Sequence, residues 1–435
     1  MAHLLILDLP GGNDGDILEA ARAAGHRFTL LTADAGHYAA QPALAPLLAQ
    51  GCVAQVAGFA LEDVLAWARG AHASDPFEAV LCLQDLRLVE AAHVAAALGL
   101  RHLNPQTAAL CRDKGAVRAR LDAAGMPQPA SVVVHDAQGL MAAVARLGLP
   151  LIIKPVDGFG SQHVFALRDE RDLMILGDLA PAVAQGVGEY GLGVMATGAL
   201  LVERLLEGPV IGCDTMSAGG QHRLLGVNEK LFFPPPSFAI RGGCFATSIG
   251  QFADLEAHVF ALLDAVGFDH GAAHVELALT PDGPRLIELN PRLVGARIGR
   301  LISAARQNSV HAELIDLHLY GALPAPAMAA RYAVTRWLAA PSEGVLDHVT
   351  LPKVTDPALV GVTMVATVGA HVSPPLDNAD RLGCVIACDA DRAIAEKLAE
   401  AVVAASEIIV LPRAFPRQVE APDGQENASN RSSPG

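Results

Sequence analysis

The sequence lacks the cysteine pairs that mark a disulfide framework or a zinc site. Its seven cysteines are scattered and include no CxxC motif, so we expect reduced thiols in a cytoplasmic protein. The N-terminus has no basic region followed by a long apolar run, which predicts a buried first strand rather than a signal peptide. The longest uncharged stretch, 357–376, contains glycines and a proline pair, and predicts a strand and a loop rather than a membrane span.

An excess of positive charge is also missing. The net charge of −15 argues against nucleic acid or an anionic membrane as a partner. It does not exclude an anionic ligand, because a local group of lysines and backbone N–H groups can hold a phosphate. With 435 residues, of which 52% are apolar and 18% charged, we expect several packed units with sizeable cores.

Short apolar runs alternate with helix-like segments over roughly the first hundred residues. LLILDL, FTLLTA, VAQVAG and EAVLCL are predicted strands, and 16–24 and 88–98 are predicted helices. This alternation predicts a mostly parallel α/β sheet with helices on its faces. The loop at 10–16 is glycine-rich but does not fit GxGxxG, which favours a strand-to-helix turn over a dinucleotide site.

A new helix is predicted after Asn104, a good N-cap residue, and Pro105, which suits the first helical position. Lys114 lies on the apolar stripe of this helix, between Leu110 and Val117. Two interpretations stay open at this point. The side chain extends along its stem to solvent, or its ammonium group points into a ligand cleft.

Lys154 lies in an otherwise apolar strand that precedes the loop containing Asp157, Gly158, Gly160 and Ser161. A glycine loop between strands can place backbone N–H groups over phosphates, and an adjoining lysine can neutralise their charge. The alternative is a simple hairpin with a glycine turn and an outward lysine.

The segment 271–300 predicts two strands joined by a turn at 281–283. If Thr280 pairs with Pro284, then Glu276 lies opposite Glu288 and His274 lies opposite Asn290, all on one face. The predicted core face carries Val275, Leu277, Leu279, Ile287 and Leu289.

Two opposed carboxylates repel each other unless a cation lies between them, and carboxylate and amide oxygens are the ligands that Mg²⁺ takes beside nucleotide phosphates. The hairpin therefore predicts a metal site formed by Glu276, Glu288 and Asn290, with a solvated edge hairpin as the alternative. Arg292, just beyond the second strand, could donate to a carboxylate or to a phosphoryl group.

The segment 228–247 is rich in Phe and Pro and predicts a loop over the site, with a loop that packs on its own core as the alternative. In the first interpretation, Phe232 and Phe233 also line an apolar pocket. The candidate substrate contacts are Lys230, Phe238, Arg241 and Arg297.

Taken in order, these segments resemble the ATP-grasp superfamily, in its carboxylate–amine ligase branch of L-amino-acid ligases. The resemblance rests on the Asp113-Lys114 helix, the 153–155 strand, the glycine loop, the 202–205 hinge and the 288–292 block. The segments 337–341 and 380–383 resemble the C-terminal part of that branch. Together they cover the chain to about Leu411.

The resemblance implies a Rossmann-like pre-ATP-grasp domain (1–103), a helical linker (104–126) and an ATP-grasp fold of two α+β subdomains. These are a small nucleotide-lid subdomain (127–202) and a central subdomain with the metal site (203–325). A C-terminal α+β subdomain (326–413) and a disordered tail (414–435) follow.

The resemblance also implies roles for the matching residues. Those that would bind the phosphates, close over them or meet the adenine are Lys114, Lys154, Asp157, Gly158, Gly160, Ser161, His163, Glu203, Arg204, Leu205 and Leu206. Arg292, Lys154 and His274 would act in catalysis. The cofactors would be ATP and two Mg²⁺ ions, with Mn²⁺ as a substitute, and the substrates a small carboxylate and an amine, amino acids above all.

Three departures from the family pattern concern the nucleotide loop and the substrate pocket: His163, Val210 and Ile240 stand where a small residue, an acidic residue and a glutamate are usual. The implied reaction forms an amide through an acyl phosphate and releases ADP and phosphate. The alternatives are a bicarbonate-using ATP-grasp carboxylase and an ATP-binding regulatory protein without catalysis. We also expect a cytoplasmic protein that forms a homodimer.

Overall fold

The first part of the chain folds as an α/β layer. The computed structural model describes residues 1–9, 15–160, 162–183, 186, 189–191, 194–195, 198–234, 237, 239–247, 254–295, 297–376 and 378–412. Four parallel strands form a sheet in the order β3-β2-β1-β4. They are β1 (His3–Leu7), β2 (Arg27–Thr32), β3 (Cys52–Gln55) and β4 (Ala79–Leu81). The helices of this part are α1 (Asp16–Ala23), α2 (Ala35–Ala39), α3 (Ala45–Leu48), α4 (Leu61–Ser74) and α5 (Leu88–Leu98). The predicted parallel α/β sheet is therefore confirmed.

The helix predicted after Asn104 is in fact two helices, α6 (Pro105–Arg112) and α7 (Lys114–Ala123). The Asn104 side chain accepts a hydrogen bond from the Gln106 N–H, as expected of an N-cap. Asp113 has an extended backbone and interrupts the helix, and its side chain accepts from the Ala116 N–H. Lys114 consequently starts a new helix rather than lying within one.

A small antiparallel sheet follows, in the order β5-β10-β6-β7. Its strands are β5 (Ser131–Val134), β6 (Leu151–Pro155), β7 (Phe165–Leu167) and β10 (Leu200–Arg204). The helices α8 (Ala137–Leu147) and α9 (Leu176–Ala182) accompany it, and β8 (Glu189–Gly191) pairs with β9 (Val194–Met195).

An eight-stranded antiparallel sheet forms the centre of the molecule, in the order β15-β14-β11-β12-β13-β16-β20-β18. Its strands are β11 (Val210–Ala218), β12 (Gln221–Phe232), β13 (Ile240–Ala246), β14 (Gly271–Thr280), β15 (Gly283–Asn290), β16 (Tyr332–Leu338), β18 (Leu359–Met364) and β20 (Gly383–Asp389). The sheet continues past residue 326, where the sequence predicts a subdomain boundary. The predicted boundaries themselves stay predictions.

The remaining elements cover this sheet. A three-stranded sheet, β19-β17-β21, consists of β17 (Gly344–Thr350), β19 (His371–Val372) and β21 (Glu407–Leu411). The helices are α10 (Leu255–Val266), α11 (Ile298–Arg306), α12 (Val310–Tyr320) and α13 (Arg392–Ala404). Among the described residues, no helix has both the length and the apolar character needed to cross a bilayer.

Candidate functional site

The β14–β15 hairpin places its polar residues almost as predicted, through two deviations that cancel. Thr280 pairs with Gly283, not with Pro284, so the predicted turn pairing is wrong. A β-bulge at Ile287 then adds one residue to β15 and restores the predicted pairs Glu276–Glu288 and His274–Asn290. Because of the shift, Leu286 enters the core in place of the predicted Ile287.

Both hairpin carboxylates are paired with lysines. Lys114 Nζ lies 3.1 Å from Glu288 Oε1 and also donates to the Gly158 carbonyl oxygen, while Lys230 Nζ lies 2.6 Å from Glu276 Oε1. Lys114 is only 8% exposed, so its side chain does not extend to solvent. Burial lowers the pKa of Lys114, although Glu288 opposes the shift. For Glu276, burial alone would raise the pKa, but Lys230 and His274 lower it.

His274 connects Glu276 to a residue that the sequence did not indicate, Asp214. Its Nδ1 lies 2.8 Å from Asp214 Oδ1 and its Nε2 lies 3.2 Å from Glu276 Oε1. Burial would lower the pKa of His274, but the two carboxylates raise it to about 9. Gly212 leaves room for the ring, because a Cβ at this position would lie 2.4 Å from His274 Cε1. Glu276 is therefore held by an imidazolium as well as by Lys230.

A second buried ion-pair group joins the small sheet to the hairpin. Glu203 contacts Lys154 Nζ at 2.5 Å and Arg118 Nε at 2.9 Å. Both cations also donate to the Ile287 carbonyl oxygen, at 3.3 Å from Lys154 and 3.0 Å from Arg118. Burial would raise the pKa of Glu203, but Lys154 and Arg118 lower it. The hinge carboxylate thus fixes the direction of Lys154, a role that sequence reasoning did not assign to it.

The other hinge residues are held mainly by backbone contacts. Arg204 Nη1 donates to the carbonyl oxygens of Leu147, Gly148 and Leu149, at 2.8–3.2 Å. The Leu205 N–H donates to the Pro150 carbonyl oxygen, and the Leu206 side chain is partly buried.

The glycine loop begins at the Lys154 strand and is anchored at Asp157. Asp157 Oδ1 accepts from the Tyr190 hydroxyl at 2.9 Å, and its carbonyl oxygen accepts from Arg112 Nη2 at 2.6 Å. Gly160 and His163 both have positive φ, 64° and 56°, the region in which glycine is usual and histidine uncommon. The His163 ring lies 6.1 Å from the Tyr190 ring. Ser161 lies outside the described residues.

Arg292 is oriented by a carboxylate from the first sheet. Its Nε and Nη2 lie 2.7 and 2.5 Å from Asp85 Oδ2, and Arg112 Nη1 lies 3.3 Å from Asp85 Oδ1. Burial would raise the pKa of Asp85, but Arg292 and Arg112 lower it. Sequence reasoning missed Asp85 and Arg112. A signal was available, because Asp85 follows a predicted strand at the carboxyl edge of a parallel sheet, where such folds bind ligands.

The predicted substrate contacts are only partly brought together. Lys230 points at Glu276, whereas Arg241 is exposed and Phe232 is 41% exposed. Arg297, with φ 63°, is the N-cap residue of α11. Phe238 lies outside the described residues.

The donor set fits a divalent cation. Asn290 Oδ1 is buried and has no hydrogen-bond partner among the described residues, beside the opposed Glu276 and Glu288. Two carboxylates and an amide oxygen are hard ligands suited to Mg²⁺. Within the described part of the chain, no group of three or more His, Cys, Asp or Glu side chains is arranged to hold a metal by itself.

Behind Arg292, three histidines surround a small cavity of about 20 Å³. The His318 ring lies 5.2 Å from the rings of His102 and His270. Burial lowers the pKa of His102 to about 4 and also lowers those of His270 and His318. The cluster is therefore uncharged at neutral pH.

This cluster predicts acid sensitivity. A histidine whose pKa is lowered in the folded state takes up its proton more readily when unfolded, so its stabilising contribution is complete above about pH 6.5 and falls toward pH 4. We expect His102→Gln to reduce the loss of stability between pH 7.5 and pH 5 by about 1–2 kcal/mol, measured by urea unfolding. His371→Gln, at a half-exposed side chain, is the control. An identical pH dependence in wild type and His102→Gln would contradict the assignment.

Two family models match the chain. One, an ATP-grasp domain, matches residues 147–300, and the other, the L-amino acid ligase C-terminal domain 2, matches residues 336–410. With the fold and the site described above, they show that the chain contains an ATP-grasp domain followed by an L-amino acid ligase C-terminal domain. Ligases with an ATP-grasp domain are ADP-forming, and ATP-grasp proteins generally use ATP and Mg²⁺.

Sequence identity to individual relatives is low. The chain is 27% identical over 322 residues to the uncharacterized protein y4rH of Sinorhizobium fredii, covering 71% of this chain and 63% of that protein. It is 22% identical over 248 residues to the L-arginine-specific L-amino acid ligase of Bacillus subtilis, covering 56% of this chain and 58% of that protein. The chain thus spans less than two thirds of the length of either relative.

The fold of a solved enzyme is also similar. The crystal structure of an L-amino acid ligase from Bacillus licheniformis superposes with a TM-score of 0.75 at 19% identity, covering 94% of this chain and 99% of that one. This likeness confirms the predicted ATP-grasp fold.

Proposed function

We propose that this protein is an ATP-dependent carboxylate–amine ligase that joins two amino acids, or closely similar molecules, through an acyl phosphate. The observation that carries the proposal is the opposed pair Glu276 and Glu288, with Lys114 on Glu288 and with the Asn290 oxygen, which has no hydrogen-bond partner in the described part of the chain. Such a site can neutralise phosphates beside a divalent cation, and Glu276, Glu288 and Asn290 lie within the ATP-grasp region.

The nucleotide would lie between the small sheet and the hairpin. Lys154, oriented by Glu203, and Lys114 would bind its phosphates, and the backbone of the glycine loop would close over them. Glu276, Glu288 and Asn290 would hold Mg²⁺, which supplies positive charge to the transferring phosphoryl group; Mn²⁺ would serve as a substitute. In the structure, Lys114 neutralises Glu288 and Lys230 neutralises Glu276. Because a bound Mg²⁺ would neutralise these carboxylates instead, both ammonium groups would become available to anionic ligands.

In the reaction, a substrate carboxylate attacks the γ-phosphorus of ATP, and ADP leaves. An amine then attacks the acyl carbon of the acyl phosphate, and phosphate leaves as the amide forms. Arg292, held by Asp85, would orient the carboxylate and bind the negative charge that develops at the carbonyl oxygen. The loop from Asp157 to His163 would exclude water, which would otherwise hydrolyse the acyl phosphate.

The proposal also includes the localisation, the oligomeric state and the class of product. We infer a cytoplasmic enzyme, active as a homodimer, that makes small specialised peptides. No nucleic acid or membrane takes part in this scheme, in keeping with the net charge of −15.

Release of ADP and phosphate from Mg²⁺-ATP tests the proposal. Single amino acids, their pairs, bicarbonate and small polycarboxylates would be added separately. We expect release only when an amino acid pair is present, with a peptide detected by mass spectrometry. Release with bicarbonate and one acceptor would instead identify a carboxylase. Tight ATP binding without release under all these conditions would favour a regulatory protein.

A further inference from the structure

A cavity of about 400 Å³ opens beside the first sheet, far from the site described above. Among the residues that line it are His3, Arg27 and Cys52, which begin β1, β2 and β3. Asp85, the contact of Arg292, follows β4 at the opposite edge of the same parallel sheet. Since a five-residue strand is about 17 Å long, the cavity and the candidate active site are separate. Its volume lies in the range of roughly 300–1,000 Å³ that is usual for small-molecule sites.

The walls of this cavity are aromatic. Phe28 on β2 and Phe77 before β4 are buried, and Trp67 on α4 stacks on Phe77 with ring centroids 6.3 Å apart. The edge of the Phe28 ring packs closely on Gly51, where a Cβ would lie 2.3 Å from Phe28 Cε2. Such walls suit a flat or bulky apolar group.

Two oppositely charged side chains, Arg27 and Asp75, also line this cavity. Arg27 Nη1 and Nη2 donate to the two carboxylate oxygens of Asp75 at 2.8 and 3.0 Å. Both side chains are about half exposed, 50% and 51%. Because water screens a pair this exposed, it adds little to stability, and a ligand with charges of both signs could replace it with two new ion pairs.

We propose that this cavity binds a free amino acid with an aromatic or large apolar side chain. Its carboxylate lies on Arg27, its ammonium group on Asp75, and its side chain against the cavity wall that Phe28, Trp67 and Phe77 help to form. This second site does not depend on the proposed ligase reaction, since binding can be measured without ATP.

Cys52 provides a local probe for this binding. All seven cysteines lie in the described part of the chain, and Cys52 alone is exposed, so iodoacetamide added to the folded protein would modify it first. We expect L-phenylalanine to slow this alkylation, about tenfold at ten times its dissociation constant, as measured by intact mass without nucleotide. Phenethylamine lacks the carboxylate and 3-phenylpropionate lacks the ammonium group, so each should protect Cys52 much less.

Matched variants locate the effect. Ala71→Phe would fill the cavity and abolish protection, whereas Ala73→Phe, at an exposed position of the same helix, would retain it. Asp75→Asn leaves the cavity open and should also remove protection. Three results would each overturn the proposal: undiminished protection in Ala71→Phe or Asp75→Asn, protection by either singly charged analogue as strong as that by L-phenylalanine, or no protection of the wild type.

Discussion

Glu288→Gln is expected to abolish ligase turnover while leaving the protein folded. The substitution keeps the shape of the side chain but removes the charge that faces both Lys114 and the opposed Glu276. A carboxylate that holds Mg²⁺ at a transferring phosphoryl group contributes several kcal/mol to the transition state, so we expect kcat to fall about 1,000-fold or more. The measurement is ADP release with the substrate pair found in the panel described above, together with a thermal melting curve.

The control for this variant is Asp282→Asn, in the exposed turn of the same hairpin. It changes the net charge by the same amount but lies outside the group of paired carboxylates, so its turnover should match the wild type. Turnover of Glu288→Gln within tenfold of wild type, with an unchanged melting temperature, would remove Glu288 from the metal site.

The hairpin shows what a sequence can and cannot predict about such a site. Side-chain alternation along a strand put Glu276, Glu288, His274 and Asn290 on one face, and that pattern survives in the structure. The predicted turn pairing was wrong because the loop contains two residues, 281 and 282, rather than three. The bulge at Ile287 could not be predicted, since its carbonyl oxygen is held there by Lys154 and Arg118 from distant segments.

The missed residues share one property. Asp85, Arg118 and Asp214 each act through a partner far away in the sequence: Arg292, Glu203 and His274. Local periodicity contains no information about such contacts, whereas helix caps such as Asn104 are local and were predicted. The fold class followed from local patterns and their order, but the electrostatic connections within the site required the three-dimensional arrangement.

The buried ion pairs of Glu203 lead to a second prediction with a large expected effect, this time on stability. Glu203 is 3% exposed and its partners Lys154 and Arg118 are 5% and 4% exposed, so Glu203→Gln would leave two buried cations without a counter-charge. Removing one member of a buried ion pair costs about 3–5 kcal/mol, and we expect a loss of this size in urea unfolding at pH 7. Glu229→Gln, which breaks the more exposed pair with Arg392, should cost less than about 1 kcal/mol.

The pH dependence separates this electrostatic effect from a simple packing defect. Because the folded state lowers the pKa of Glu203, its carboxylate stabilises the fold fully above the ordinary value of 4.5, and that contribution is lost as the pH falls further. The difference in unfolding free energy between wild type and Glu203→Gln should therefore change little from pH 7 to about pH 5 and shrink on further acidification to about pH 3. A difference that stays constant over this range would indicate lost packing, and a difference below about 1 kcal/mol at pH 7 would mean that water reaches Lys154 and Arg118. In either case Glu203 would not be the group that orients Lys154 for the proposed nucleotide site.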